Sequence, residues 1–131
     1  MELTVLSIED IGSVRVLRLG SANDLPEHLA GHYAILQFGQ HPPRPYSIAN
    51  AANGNYLEFH IRNSGFSGGS TLATTTLAVG DIVILHGIEG NYTYRADCSH
   101  PLLLIAGGTG VSGLLAIAEA SLLYAPERDI L

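Results

Sequence analysis

The chain has 131 residues, 47% hydrophobic and only 14% charged, a balance that suits one domain with a packed core and argues against disorder. All six basic residues are arginine, which removes Schiff-base chemistry and a P-loop lysine, and the net charge of -6 argues against nucleic acid or an anionic membrane surface as the main partner. The lone Cys98 can form neither an internal disulfide nor a thiolate-held iron–sulfur cluster, and a reducing cytoplasm suits it.

The acidic, alternating start MELTVLSIED reads as a strand carrying Leu3 and Val5, and not as a signal peptide. A second strand follows Gly12–Ser13, with Val14 and Val16 on one face and Leu17 and Leu19 on the other. Ala34 to Phe38 reads as a third strand and Ser47 to Asn50 as a fourth. Asn53–Gly54 marks a sharp turn. Tyr56 to Ile61 alternates, with Leu57, Phe59 and Ile61 opposite Glu58, His60 and Arg62. Ser64 to Ser70 reads as a loop and Thr71 to Leu77 as a short helix. Ile82 to Leu85 is a further strand, Gly87 to Gly90 a turn, and Asn91 to Arg95 a last β piece. Short strands at this spacing predict a closed antiparallel barrel.

The grammar changes at Pro101. Leu102–Ala106 is a continuous apolar run of the kind found in buried parallel strands. A glycine turn follows, then a helix whose Leu114, Leu115, Ile117, Ala118, Leu122 and Leu123 form a broad apolar face, stopped by Pro126. Asp129–Leu131 opens a second strand. Glycines interrupt the uncharged stretch from Pro101 to Ala118, so no membrane span is expected.

Three motifs carry chemistry. In RPYSIAN, Arg44 offers a planar fork of donors, Pro45 biases Arg44 toward an extended shape, Tyr46 is a flat amphipathic ring and Ser47 a short donor and acceptor. In FHIRNSGFSGGST, a glycine loop runs into a helix start, where backbone N–H groups and hydroxyls suit a diphosphate. In LLLIAGGTGVSG, a strand, a glycine turn and a helix form the first half of a nucleotide-binding βαβ unit, and Gly108, Gly110 and Gly113 spell G-x-G-x-x-G. Each motif also has a purely structural reading, as a strand entry, a surface loop or a packing turn.

Taken in order, RPYS, HIR, GGST, G-D-x-V and LLLIAGGTG resemble the ferredoxin–NADP reductase superfamily over essentially the whole chain, and within it the NAD(P)H:flavin oxidoreductases and oxygenase reductase components. The resemblance implies a mainly β chain: a six-stranded antiparallel Greek-key FAD-binding barrel over residues 1–98, then a truncated Rossmann-like β-α-(β) segment over residues 99–131. It implies Arg44 on the flavin phosphates, Pro45 beside it, Tyr46 against the isoalloxazine or ribityl chain, and Ser47 near flavin N5 as the catalytic residue. It implies His60, Ile61 and Arg62 along the flavin, Gly69, Ser70 and Thr71 on the diphosphate, and Gly107, Gly108, Thr109 and Gly110 at the nicotinamide nucleotide. Hydride would pass from NAD(P)H to FAD, with FMN as the alternative, and electrons onward to a small-molecule or protein acceptor.

Two departures stand out. Gly87-Ile88-Glu89-Gly90 replaces the family's Gly-Pro-x-Gly, and Ser112–Gly113 stands where Ala-Pro is common. A full nucleotide domain would need roughly another hundred residues. The expectation is therefore a piece of a longer enzyme, a helix folded back on the barrel, or a homodimer through residues 101–125. The alternatives in function are a flavin-binding module without NAD(P)H activity and a non-catalytic interaction protein that has lost its cofactor. His28 and His32 are four apart, but Pro26 and Gly31 disfavour a metal-binding helix there; Cys98, Ser47 and Ser112 lack nucleophile partners. Tyr92 and Tyr94 alternate and are expected to pack in the core.

Overall fold

Alternating apolar residues assemble six antiparallel strands, seen in a computed structural model that describes residues 1–63, 65 and 68–131. They are β1 (Glu2–Ile11), β2 (Val14–Gly20), β3 (Tyr33–Gln37), β4 (Arg44–Ser47), β5 (Leu57–Arg62) and β6 (Ile82–Glu89), with helix α1 (Gly68–Thr75) between β5 and β6. The sheet order is β4-β3-β6-β1-β2-β5. Its inner face collects Leu3, Val5, Leu17, Leu19, Ala34, Leu36, Leu57, Phe59 and Val83, all essentially without solvent exposure. The Leu57–Phe59–Ile61 face and the Leu17–Leu19 face are as the alternation predicts.

The sheet closes on itself beyond β4. Ile48 and Ala49 continue inward, and the Ala49 amide donates to the Glu58 carbonyl of β5 at 2.8 Å. Asn50 completes the seam: its Oδ1 accepts from the Glu58 amide at 2.8 Å, and its Nδ2 donates to the carbonyls of Ala51 and Tyr56 at 2.9 and 3.2 Å. The turn that returns the chain to β5 is an Asx turn, with Asn53 Oδ1 accepting from the Asn55 and Tyr56 amides. The expected closed barrel is therefore present.

Several local expectations shift. The fourth strand is Arg44–Ser47 rather than Ser47–Asn50, because β3 pairs from Tyr33↔Ser47 to Leu36↔Arg44 and the following residues turn to the seam. The short helix begins at Gly68, not Thr71. The expected turn at Gly87–Gly90 is mostly strand: β6 runs through Glu89, and a register shift between Ile35 and Leu36 absorbs the irregularity opposite Gly87. Asn91–Arg95 is an irregular strap, not a strand, held by bonds that include the Tyr94 amide to the Ala30 carbonyl and Arg128 Nη1 to the Arg95 carbonyl. It lies close over Gly31, whose φ of +104° and contact with the Tyr92 carbonyl leave no place for a side chain. Tyr92 is consequently 90% exposed rather than packed, while Tyr94 packs against a small alanine cluster. The loop expected over Ser64–Ser70 lies partly outside the described residues, at Ser64, Phe66 and Ser67.

After the strap, Gly108–Gly110 forms a 3₁₀ turn and α2 (Val111–Tyr124) follows, ending before Pro126 as predicted. Leu102 pairs in parallel with Ile130 as an isolated bridge, so of the expected strands over Leu102–Ala106 and Asp129–Leu131 only a first parallel contact forms. Two expectations here are corrected. Leu103 and Ile105 are exposed, because the run has its parallel neighbour on one side and, among the described residues, no cover on its faces. In α2 the packed side is Ser112, Ala116, Ala120 and Ser121, not the leucine face. Those small residues let the helix approach Ala30 and Ala51 of the barrel, which leaves Leu115, Leu122 and Leu123 outward. No helix among the described residues is long and apolar enough to cross a membrane.

Candidate functional site

Strand β4 carries the first motif, and its two ends are marked by the other two. At the start, the β3–β4 loop folds onto α1: the His41 ring occupies the space that a Cβ on Gly68 would need, and Leu72 of α1 lies close to Gly39. This fixes the beginning of α1, with Gly69, Ser70 and Thr71, beside the chain that enters β4 three residues later at Arg44. His41, Gly68, Thr71 and Leu72 share the wall of a surface hollow of about 420 Å³. At the far end, a Cβ on Gly113 would stand 3.7 Å from Ser47 Cβ and 3.8 Å from Ser47 Oγ, so the start of α2 approaches Ser47 closely.

Between these ends the register sorts the side chains. Arg44 lies opposite Leu36 and Tyr46 opposite Ala34, so they share one face, and Ser47 opposite Tyr33 is on the other, as the motif predicts. Arg44, Pro45 and Ser47 are exposed. The Tyr46 ring is fixed edge-on against Phe38, with centroids 5.5 Å apart and planes at 89°. Pro45 sits on the sheet's outermost strand, where its missing N–H disturbs no inner ladder.

Strand β5 holds His60, Ile61 and Arg62 differently. Ile61 is buried in the barrel, whereas His60 is half-buried and Arg62 exposed on the outer face. Glu58, two residues before His60, accepts from Arg18 Nε at 2.8 Å and meets His60 Nε2 at 3.1 Å. Burial pushes the Glu58 carboxyl up, but its hydrogen bonds to Arg18 and His60 and their charges together outweigh it and hold it below the usual carboxylate range. Arg18 is itself stacked over the Tyr56 ring at 5.1 Å.

The glycine turn is open. Gly107, Gly108 and Gly110 have space for a Cβ with no heavy atom within 4 Å, and Gly108 takes φ +57°. The Thr109 carbonyl is engaged by Ser112 Oγ at 2.8 Å. The turn packs near β5. All three motifs thus border one surface. In α1, the first turn contains no acidic residue to repel an anion, and Thr71 Oγ1 donates to Asn63 Oδ1 at 3.1 Å.

Four residues in or around this surface were not singled out from sequence. His41 packs its ring into the space above Gly68. Asn50 closes the barrel, Glu58 holds His60, and Glu119 of α2 accepts from the Ala51 amide at 2.6 Å, tying the helix to the end of the RPYSIAN segment. His28 and His32 are both engaged within the fold: His28 Nε2 meets the Asn50 carbonyl at 3.2 Å, and His32 Nδ1 accepts from the Leu29 amide at 3.1 Å. Burial, the largest influence on His28, lowers its pKa and keeps it neutral.

Chemically, the surface offers a guanidinium and a helix start at one end, an aromatic ring in the middle, and a hydroxyl facing a glycine turn at the other. An elongated anionic ligand with a flat ring could use that set of groups. The class defined is a six-stranded antiparallel barrel joined to the opening of a nucleotide-type β-α-β unit. No family model matches the chain. It is 33% identical over 120 residues to the reductase component of the naphthalene 1,2-dioxygenase/salicylate 5-hydroxylase systems of Ralstonia sp, covering 91% of this chain and 36% of that protein. It is 39% identical over 103 residues to a probable flavin reductase of Vibrio harveyi, covering 73% and 43%. Among solved structures, an Amycolatopsis cytochrome P450 reductase superposes with a TM-score of 0.88 at 34% identity, over 99% of this chain and 41% of that one. Over the part of each that it spans, the chain is thus similar to ferredoxin reductase components of oxygenase systems and to flavin reductases. It spans about two-fifths of the length of these relatives.

Proposed function

We propose that this chain is the flavin-holding part of an NAD(P)H-dependent reductase that passes electrons to a partner acceptor, as its relatives' names describe for them. The observation that carries the reading is the framing of β4: the start of α1 lies at its Arg44 end and the glycine turn and α2 at its Ser47 end. The donor set fits FAD, with FMN as the shorter alternative. Arg44 and the start of α1, through Gly69, Ser70 and Thr71, would hold the diphosphate. Pro45 keeps Arg44 extended, Tyr46 gives the ring a flat wall, and His60 and Arg62 border it from β5. Ile61 supports that face from inside the barrel.

Bound flavin supplies the capacity to accept hydride from a reduced nicotinamide and release its electrons to an acceptor. The chain's own contribution is orientation. Ser47 presents a hydroxyl where a reactive ring nitrogen would lie, and the absence of a side chain at Gly113 keeps that position approachable. Gly107, Gly108, Thr109 and Gly110 would receive the nicotinamide nucleotide, their open surface allowing close approach of its backbone-facing phosphates. Residues 1–98 form the flavin unit in this reading and residues 99–131 the first part of the nucleotide unit, and the cytoplasm is the compartment.

The exposed row of Leu103, Ile105, Leu115, Leu122 and Leu123 supports an apolar contact over residues 101–125, which we assign to a second copy of the chain. The reading as a whole is tested by the visible absorption spectrum after adding FAD and removing the excess. A retained, shifted flavin band is expected, followed by its bleaching with NADH. Retention without bleaching would favour a flavin-binding module; no retention would favour the interaction-protein alternative.

A further inference from the structure

Glu58 is fixed from four directions. Its amide donates to Asn50 Oδ1, its carbonyl accepts from the Ala49 amide, one carboxylate oxygen takes Arg18 Nε at 2.8 Å, and the other meets His60 Nε2 at 3.1 Å. Arg18 lies directly across the β2–β5 ladder from Glu58 and is braced over Tyr56, so the carboxylate has little freedom to turn. The side chains of Glu58 and His60 are each 16% exposed, which leaves His60 one narrow aspect toward the outer face.

An ionised carboxylate can only accept. The group facing it on the neutral imidazole must therefore be Nε2–H, and the lone pair is left on Nδ1. We propose that Glu58 is a positioning residue that locks His60 in the Nε2–H form, so that Nδ1 stands as an acceptor for a hydroxyl or amino donor of a bound flavin nucleotide. The inference rests on the flavin reading above. It adds that a donor is recognised at β5, whereas Arg44 and α1 recognise anionic oxygens.

The test uses an isosteric variant. In Glu58→Gln only one side-chain oxygen remains, and Arg18, a donor alone, keeps it; the amide NH₂ then faces His60 Nε2 and favours the opposite, Nδ1–H form. Long-range ¹H–¹⁵N spectra of the full chain at pH 8, with His60 assigned by its loss in His60→Gln, read the form directly. The wild-type chain should show a pyridine-like Nδ1, and Glu58→Gln a pyridine-like Nε2. FAD titration should weaken about tenfold in Glu58→Gln, the scale of one lost hydrogen bond with a repelled donor, and the Glu58→Gln/His60→Gln double variant should bind no worse than the weaker single one. Arg18→Met, which leaves the Glu58–His60 contact, should keep the wild-type ring form.

A mixed ring form in the wild-type chain, unchanged FAD affinity in Glu58→Gln, or effects that multiply in the double variant would each overturn the proposal while leaving the flavin reading intact. A wild-type chain that takes up no FAD overturns the flavin reading and with it the proposal; the spectra then still report whether Glu58 clamps the ring.

Discussion

The imidazole of His41 stands in the volume that a side chain on Gly68 would occupy. A loop before β4 and the first residue of α1 are thereby interlocked. Gly68→Ala must displace the ring and, with it, the approach of α1 to Arg44. FAD affinity in that variant should drop several-fold, and the His41→Ala/Gly68→Ala double variant should recover most of it, since coupled neighbours differ from additivity by roughly 0.5–3 kcal/mol. Equal affinity in wild type and Gly68→Ala by fluorescence titration would show that the interlock has no bearing on the ligand.

Arg44 and Ser47 should separate binding from turnover. Loss of a charge-assisted hydrogen bond costs about 1.5–3 kcal/mol, so Arg44→Ala should weaken FAD binding by roughly ten- to a hundredfold. Ser47→Ala should retain FAD and slow its reduction by NADH in stopped-flow traces. Reduction at the wild-type rate would remove Ser47 from the reacting end.

Two groups set two acid windows. The Glu58 carboxyl titrates lower in the folded chain than in the unfolded one, so the stability it contributes is full above the ordinary glutamate range and is lost as pH falls through its folded value. His28 is also depressed, chiefly by burial; its contribution is full above about pH 6.5, the ordinary histidine value, and declines below it. Urea unfolding across pH should lose stability first as pH falls below about 6.5, the ordinary histidine value, then again below the ordinary glutamate range near 4.3. His28→Leu should flatten the first step and Glu58→Gln the second, and a variant that leaves its own step unchanged would reassign it.

Glu119 anchors α2. Truncation to alanine leaves the buried Ala51 amide without its acceptor, which costs about 1–3 kcal/mol. Thermal melts should shift down, and the Ala51 amide should exchange its hydrogen faster. Unaltered exchange at that amide would show that water replaces the carboxylate without loss.

The outward leucines give the fifth expectation. Wild-type chain should show a concentration-dependent dimer mass in light scattering, and Leu122→Glu/Leu123→Glu should be monomeric with its melting point little changed. A monomeric wild type at all concentrations would refute the paired arrangement.

Alternation made the barrel legible: Leu57, Phe59 and Ile61 can satisfy one face only as a strand, and Leu17 and Leu19 likewise. The glycine turn and the parallel start of the β-α-β unit were equally plain, since Leu102–Ala106, the glycines and Pro126 each have one natural place. What the pattern hid was set by partners far along the chain. The length of β6 depends on a bulge at its His86, opposite the Ile35–Leu36 step of β3. The packed side of α2 was misread because small residues bury by allowing close approach, a property invisible to a count of large apolar side chains. For the site, the order of side chains along β4 followed from period two, but Glu58 and His41 act through neighbours 40 and 27 residues away, Arg18 and Gly68, and no local spacing announces such pairs.

The seam at Asn50 has a further consequence. Among the described residues, five of the six strand junctions are backbone ladders, two of them with a register shift, whereas the one between the end of β4 and β5 is a clasp of one backbone bond and one amide side chain. A clasp opens without unravelling the fabric on either side. The two strands that border the proposed flavin are those it joins. In the flavin reading proposed above, opening of this clasp would loosen the hold on the ligand while the five ladders stay paired, against the grip of His28 on the Asn50 carbonyl and of Glu119 on the Ala51 amide.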